Sequence, residues 1–313
     1  MSERKSLSVI AFPGAPNLPV FAAMAHGWFE AAGIDLRFET TPSSVHQFEQ
    51  FGVGNFDIAF TAFDNVVAYQ EGQGAVELDS APDFRAILGA TQIELSLVVQ
   101  PDITSVDDLR GRSLALDAVG TGFAFVLYGM LEAMGLSQSD YTVVPVGATP
   151  ARWASVRDGM HAGTITIEPF TSIARAAGFT VLARSGETYP TYQGGVIAVR
   201  DRWARQHVDL TERFLRVYRQ GLAWVLDAAN LEAAKALLVE RMPEIKPQAA
   251  TAVMSSLLSP RSGLTPDGGI GSAGAEQVLA LRTRYGPEGR SLAPVARYCD
   301  MSYWKRVAAE GVA

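Results

Sequence analysis

The side chains able to do chemistry sit at six separate places in this chain, each beside a strand end or a helix start. Pro13-Gly-Ala-Pro-Asn17 is an irregular loop in which two prolines and a glycine present backbone N–H groups and the Asn17 amide, with Pro16 beside it. Ser43, Ser44 and His46 open a helical stretch, where free N–H groups and the positive dipole end suit an anion; serines there are also ordinary caps. Thr61, Phe63 and Asp64 follow a strand, and Asp64 is either an N-cap or an acceptor for a ligand N–H or ammonium group. Asp117-Ala-Val-Gly-Thr-Gly122 offers a carboxylate, the Thr121 hydroxyl, and close backbone approach at Gly120 and Gly122. Arg152 could clamp an anionic group bidentately or lie on the surface. Glu168, held at a strand end by Pro169, could receive an amine, act as a general base, or serve only a hinge. Phe12, Phe63, Phe123 and Tyr192 are apolar or stacking walls in one reading and core in the other.

Several chemistries lack their parts. The Asp117–Phe123 stretch has neither the third glycine of a dinucleotide fingerprint nor the Gly-Lys-Ser/Thr of a P-loop. His26, His161 and His207 are scattered without helical pairing, and Cys299 is the single cysteine, so neither a metal site nor an internal disulfide is expected. Nor is a cofactor. Because Asp64, Asp117 and Glu168 outnumber Arg152, the charge count favours a polar, amine-bearing or heteroaromatic ligand over a strong dianion.

The elements that must position these residues are legible from periodicity. Leu7–Phe12 is β-rich, Leu18–Ala32 has helical spacing closed by Gly33, and Ile34–Glu39 alternates as a half-buried strand. A helix over 45–53 and a strand over 56–60 follow, giving a β-α-β-α-β-α order that calls for parallel strands. In such sheets ligands bind beyond the strand C-termini, so the loops 13–18, 41–44 and 61–64 should converge. The pattern restarts after residue 84, with strands at 84–90, 95–100, 112–116, 141–145 and 163–167, and helices at 123–134 and 149–158. Beyond Val199 the chain is largely helical.

Length and composition fit this picture. The 313 residues are too many for one small core; 48% are apolar, 19% charged, with 29 Gly and 16 Pro. Lys and Arg total 26 against 33 Asp and Glu, a net charge of −7 that provides no footprint for nucleic acid. No apolar run reaches the roughly 20 residues of a membrane span.

Four stretches resemble the type II periplasmic solute-binding fold, in the branch that binds alkanesulfonates, nitrate or taurine, and thiamine precursors. They are Pro19–Leu36 with its Gly27-Trp-Phe-Glu30 and Gly33-Ile-Asp-Leu36, Gly52–Ala62, Ile103–Leu116, and Gly147–Trp153 together with Glu168-Pro-Phe170. The resemblance implies a two-lobed α/β fold, each lobe a mixed sheet flanked by helices, with extra C-terminal helices. Residues 1–100 plus 195–313 would form one lobe and 101–194 the other, closing on a small polar organic ligand. It implies an ABC permease as partner, a monomer or weak dimer, and a periplasmic or envelope location. The polar start Met1–Ser6 shows no export signal, so either the protein is cytoplasmic or a signal has been removed. The first keeps a cytoplasmic enzyme on the same fold as the alternative: a lyase, decarboxylase or hydratase of a small aromatic or cyclic acid using Asp64, Glu168 and His46, or a thiamine-pyrimidine-related enzyme. Desulfinase relatives carry a nucleophilic cysteine in the loop that here reads 13–17 and has none, and Asn65 stands near the histidine that pyrimidine-synthase relatives consume.

Overall fold

A computed structural model describes residues 4–78, 81–287 and 291–310. Residues 1–3, part of the start on which the export question rested, lie outside the described residues. Two mixed five-stranded sheets organise the chain. The first contains β1 (Lys5–Ala11), β2 (Ile34–Thr40), β3 (Ile58–Ala62), β4 (Phe84–Thr91) and β10 (Gly195–Arg200), in the order β2-β1-β3-β10-β4. The second contains β5 (Ser96–Val99), β6 (Ser113–Leu116), β7 (Thr142–Pro145), β8 (Gly163–Thr166) and β9 (Thr180–Arg184), in the order β7-β6-β8-β5-β9.

The two sheets share one plan. In each, four strands run in one direction and a fifth, reached by crossing from the other sheet, is inserted antiparallel: β10 between β3 and β4, β5 between β8 and β9. Ser96–Val99 falls within the 1–100 span expected of the first lobe, yet its ladder bonds go to the second sheet. The chain therefore crosses between sheets at Gln92–Leu95 and again at Ser185–Gly194.

Alternation in the strands explains how both faces of the first sheet are covered. Leu7, Val9 and Ala11 of β1, Ile58 and Phe60 of β3, and Ile197 and Val199 of β10 pack under the helices Leu18–Ala25 and Val208–Leu226. Their neighbours Ile10, Ala59, Val196 and Ala198 point the other way, into a core that continues without a break into the second lobe through Leu97, Val99, Leu114 and Val126. The helix expected over 18–32 is instead two, Leu18–Ala25 and Trp28–Ala31, because Gly27 adopts a left-handed turn (φ 69°) between them.

The C-terminal helix Ser272–Tyr285 clips the lobes together. Arg284 and Tyr285 reach Glu132 on the second-lobe helix Gly122–Ala133, and Arg282 lies over the Phe125 ring at 4.9 Å. Among the described residues no helix is long and apolar enough to cross a membrane.

Candidate functional site

Strand C-termini of both sheets face each other across a partly open cavity between the lobes. The walls are mainly apolar: Phe12, Phe60, Leu116, Phe123, Ile165, Ile167 and Val196. Polar groups are few and come from strand ends and helix starts: Asn17, Thr61, Asn65, Asp117, Thr121, Thr149 and Arg152. Ile93 of the first crossing and Gly195 at the start of β10 also line it.

Arg152 is the chemical centre of this wall. It is only 4% exposed, and its guanidinium is framed by neutral acceptors. Nε donates to Thr164 Oγ1 (3.2 Å), Nη1 to the Gly147 carbonyl (2.8 Å), and Nη2 to Thr149 Oγ1 (3.0 Å) and the Ile165 carbonyl (3.2 Å). Four of its five N–H groups are thereby used, one on Nη1 remaining. Burial lowers its pKa to about 10, with the Asp117 charge pulling the other way. Among the described residues Arg152 makes no contact ion pair; the Asp117 carboxylate, on the lining of the same cavity, is the opposite charge that acts on this buried cation. A buried charge of this kind is stabilised when an opposite charge arrives.

Helix starts add to that field. The helices Phe63–Gln70, Gly122–Ala133 and Thr149–Arg157 all begin at this cavity, and none is capped by the side chain of its own N-cap residue. The first N–H groups of two are already taken, Phe63 N–H by the Gly194 carbonyl (2.8 Å) and Gly122 N–H by the Asp64 carboxylate, so the Thr149 end is the one that leaves its positive dipole end to the space between the lobes.

The carboxylates counted from sequence are engaged elsewhere. Asp64 is 1% exposed and forms a buried bidentate pair with Arg282, Nε to Oδ1 at 2.7 Å and Nη2 to Oδ2 at 2.6 Å. It also accepts the Gly122 N–H at 2.6 Å, tying the first lobe to the second. The N-cap of its helix is Ala62, so Asp64 is neither that cap nor a cavity-lining acceptor. Asp117 borders the cavity, but its two oxygens accept the Ser44 N–H (3.0 and 3.2 Å) across the lobe boundary. Glu168 folds back onto its own helix, accepting from Ser172 N and Oγ, and burial raises its pKa. The acid count behind the expected tilt toward an amine-bearing ligand does not carry over to the cavity: two of the three acids lie off its wall, which leaves one carboxylate, Asp117, and one guanidinium, Arg152, each hydrogen-bonded and neither in an ion pair among the described residues.

The remaining expected residues divide in the same way. Pro16, Asn17, Thr61, Asp117, Thr121, Gly122 and Arg152 come together at the cavity. Gly120 sits just outside it, its carbonyl accepting from Arg282 Nη2 at 3.2 Å. Ser43 caps the helix Ser44–Gly52 by accepting from His46 N–H, and His46 itself is exposed. The loop 41–44 meets the second lobe through the Pro42 carbonyl and Ala148 N–H (2.8 Å) instead of lining the cavity. Phe63 and Tyr192 are core residues, and burial raises the Tyr192 pKa well above its ordinary value. None of Asp64, Glu168 and His46, the proposed acid–base set, borders the cavity. Sequence reasoning missed Arg282, Thr149 and Ile93. Thr149 stood in a quoted motif and could have been found; the other two carry no local signal.

A family model described as NMT1/THI5 like matches residues 16–230, most of the chain. The chain belongs to the NMT1/THI5-like family. A Bacillus subtilis (strain 168) protein named for aliphatic sulfonate binding is 30% identical over 215 residues. The match covers 66% of this chain and 61% of that protein, so the chain spans under two thirds of the length of the relative it matches. The periplasmic nitrate-binding protein NrtA from Synechocystis PCC 6803 superposes with a TM-score of 0.83 at 12% identity, covering 98% of this chain and 89% of that one. The alkanesulfonate-binding protein SsuA from Xanthomonas axonopodis pv. citri, bound to MOPS, gives 0.72 at 16% identity, covering 98% and 99%. At these identities the family member shares their periplasmic-binding-protein fold, with two α/β lobes around a cleft.

Proposed function

We propose that this NMT1/THI5-like protein is the solute-binding component of an ABC-type uptake system, acting in the periplasm or cell envelope and delivering its ligand to a permease. The ligand is a small organic anion with an apolar body, held in the cleft as the lobes close. The observation that carries this reading is Arg152, a buried guanidinium with no ion-pair partner among the described residues, on the wall of a mostly apolar cavity. The start of the helix Thr149–Arg157 at the same space adds positive potential. The apolar walls from Phe12, Phe60, Phe123, Ile165 and Ile167 suit an alkyl or aryl body better than a bare inorganic ion. The names of the sulfonate- and nitrate-binding relatives point to anions as well.

Thermal-shift screening of the purified chain tests the reading, with short alkanesulfonates, arenesulfonates, matched carboxylates, nitrate, and the amine of each organic probe. At a ligand concentration 100 times Kd, stabilisation is about 2.7 kcal/mol, several degrees in Tm. The expected result is a shift with organic anions, smaller with nitrate and absent with amines. A shift with amines alone would overturn it.

A further inference from the structure

Ile93 has φ 50°, the single left-handed non-glycine residue among those described. For a β-branched side chain that region is strongly disfavoured, and such strain persists only where the surroundings impose it. Here they do. The crossing Gln92–Leu95 is pinned at both ends, Gln92 N–H to the Gly263 carbonyl (3.0 Å) and Leu95 N–H to Ser185 Oγ (2.9 Å). In its middle Ile93 packs against Gly194 of the second crossing, where a Cβ would lie 2.6 Å from the Ile93 Cβ and 2.8 Å from the Gln92 carbonyl oxygen. The Ile93 side chain at the same time borders the cleft. A strained backbone at the junction of the two lobe crossings thus carries a wall of the ligand cavity.

We propose that Ile93 is a positioning residue that couples cleft contents to lobe closure: its left-handed backbone belongs to the closed arrangement seen here, and its side chain limits the ligand's apolar length. The closed arrangement is marked by the cross-lobe bonds of Asp117 to Ser44 and of Ala148 to Pro42. Opening releases the strain, so the ligand must supply the interaction that restores it. This inference rests on the reading of the cleft as an organic-anion site.

Three variants separate the two roles. Ile93→Ala removes the wall but keeps a Cβ in the left-handed region. Ile93→Gly removes both wall and strain, and Ile93→Asn tolerates that backbone while keeping a side chain. Affinities are measured by calorimetry for linear alkanesulfonates from methane- to hexanesulfonate, and unliganded proteins are compared by small-angle X-ray scattering. Ala and Gly should both shift preference toward longer chains. Gly should bind each probe about tenfold tighter than Ala, the ratio set by the left-handed penalty of a Cβ. Asn should follow Gly in tightness relative to Ala, and unliganded Gly protein should be more compact than Ala. Ala and Gly affinities within twofold, with identical scattering, would overturn the coupling; an unchanged chain-length preference would overturn the wall. If the wild type binds no probe, the ligand reading fails, while the scattering of the unliganded Ala and Gly proteins still decides the coupling.

Discussion

The buried Asp64–Arg282 pair supports a quantitative prediction, because removing either partner leaves the other charged and unmatched. With Arg282→Met, the Asp64 carboxylate retains only the Gly122 N–H, while Gln73 Oε1 and the Gly120 carbonyl each lose a donor. Breaking a fully buried pair from one side costs about 3–5 kcal/mol. The orphaned acceptors overlap with that figure more than they add to it, so about 4 kcal/mol is expected for Arg282→Met and a similar cost for Asp64→Asn. Replacing both by Met and Leu removes the charges together, so the double variant should cost no more than either single and well below their sum. The shortfall from the sum is the coupling between the two side chains. Urea unfolding followed by circular dichroism measures it, with a constant m-value confirming that the same surface is exposed in each variant. Single variants costing under about 1 kcal/mol, or a double variant equal to the sum of the singles, would refute the pair's role in holding the fold.

Three further outcomes follow from the same geometry. Gly122→Ala places a Cβ 2.5 Å from Asp64 Cγ, so it should destabilise by about 1–3 kcal/mol and weaken ligand binding, measured by thermal melts and calorimetry. Glu168 is raised by burial, so its neutral form is favoured in the folded protein. Its contribution is present below the ordinary carboxylate pKa and lost as pH rises through the folded value; Glu168→Gln should therefore raise Tm at pH 8 and lose that advantage at pH 4. Arg152 titrates near 10 because of burial, so affinity for a sulfonate, which does not itself titrate, should be flat from pH 6 to 9. Above pH 10 it should fall, by at most about tenfold per pH unit, as calorimetry across that range would show.

Much of the fold was legible because it is written in local periodicity. The alternation of Leu7, Val9 and Ala11 against Ile10 and the glycine-stopped helical stretches both announce an α/β sheet before any contact is known. The site was legible to the extent that its residues sit at strand ends and helix starts: Asn17, Thr61, Thr121 and Arg152 all reach the cavity from such places. Charge was misleading, because a count of acids in the chain says nothing about which are already paired. Asp64 finds its partner 218 positions away on a helix without any motif. Ile93 defies prediction from the other direction, since a β-branched residue is among the poorest choices for a left-handed backbone. Only the pinned crossing around it forces that conformation.

Whether Arg152 reads an anion decides what this cleft binds. The direct measurement is calorimetric titration of the wild type and of Arg152→Gln with the tightest-binding organic sulfonate and with the amine of the same carbon skeleton. Loss of a charge-assisted bond at a buried site corresponds to about 1.5–3 kcal/mol. The predicted result is thus a roughly 10- to 100-fold weaker sulfonate affinity in the variant, with no detectable amine binding by the wild type. Undiminished sulfonate affinity in Arg152→Gln, or an amine bound as tightly as the sulfonate, would contradict it.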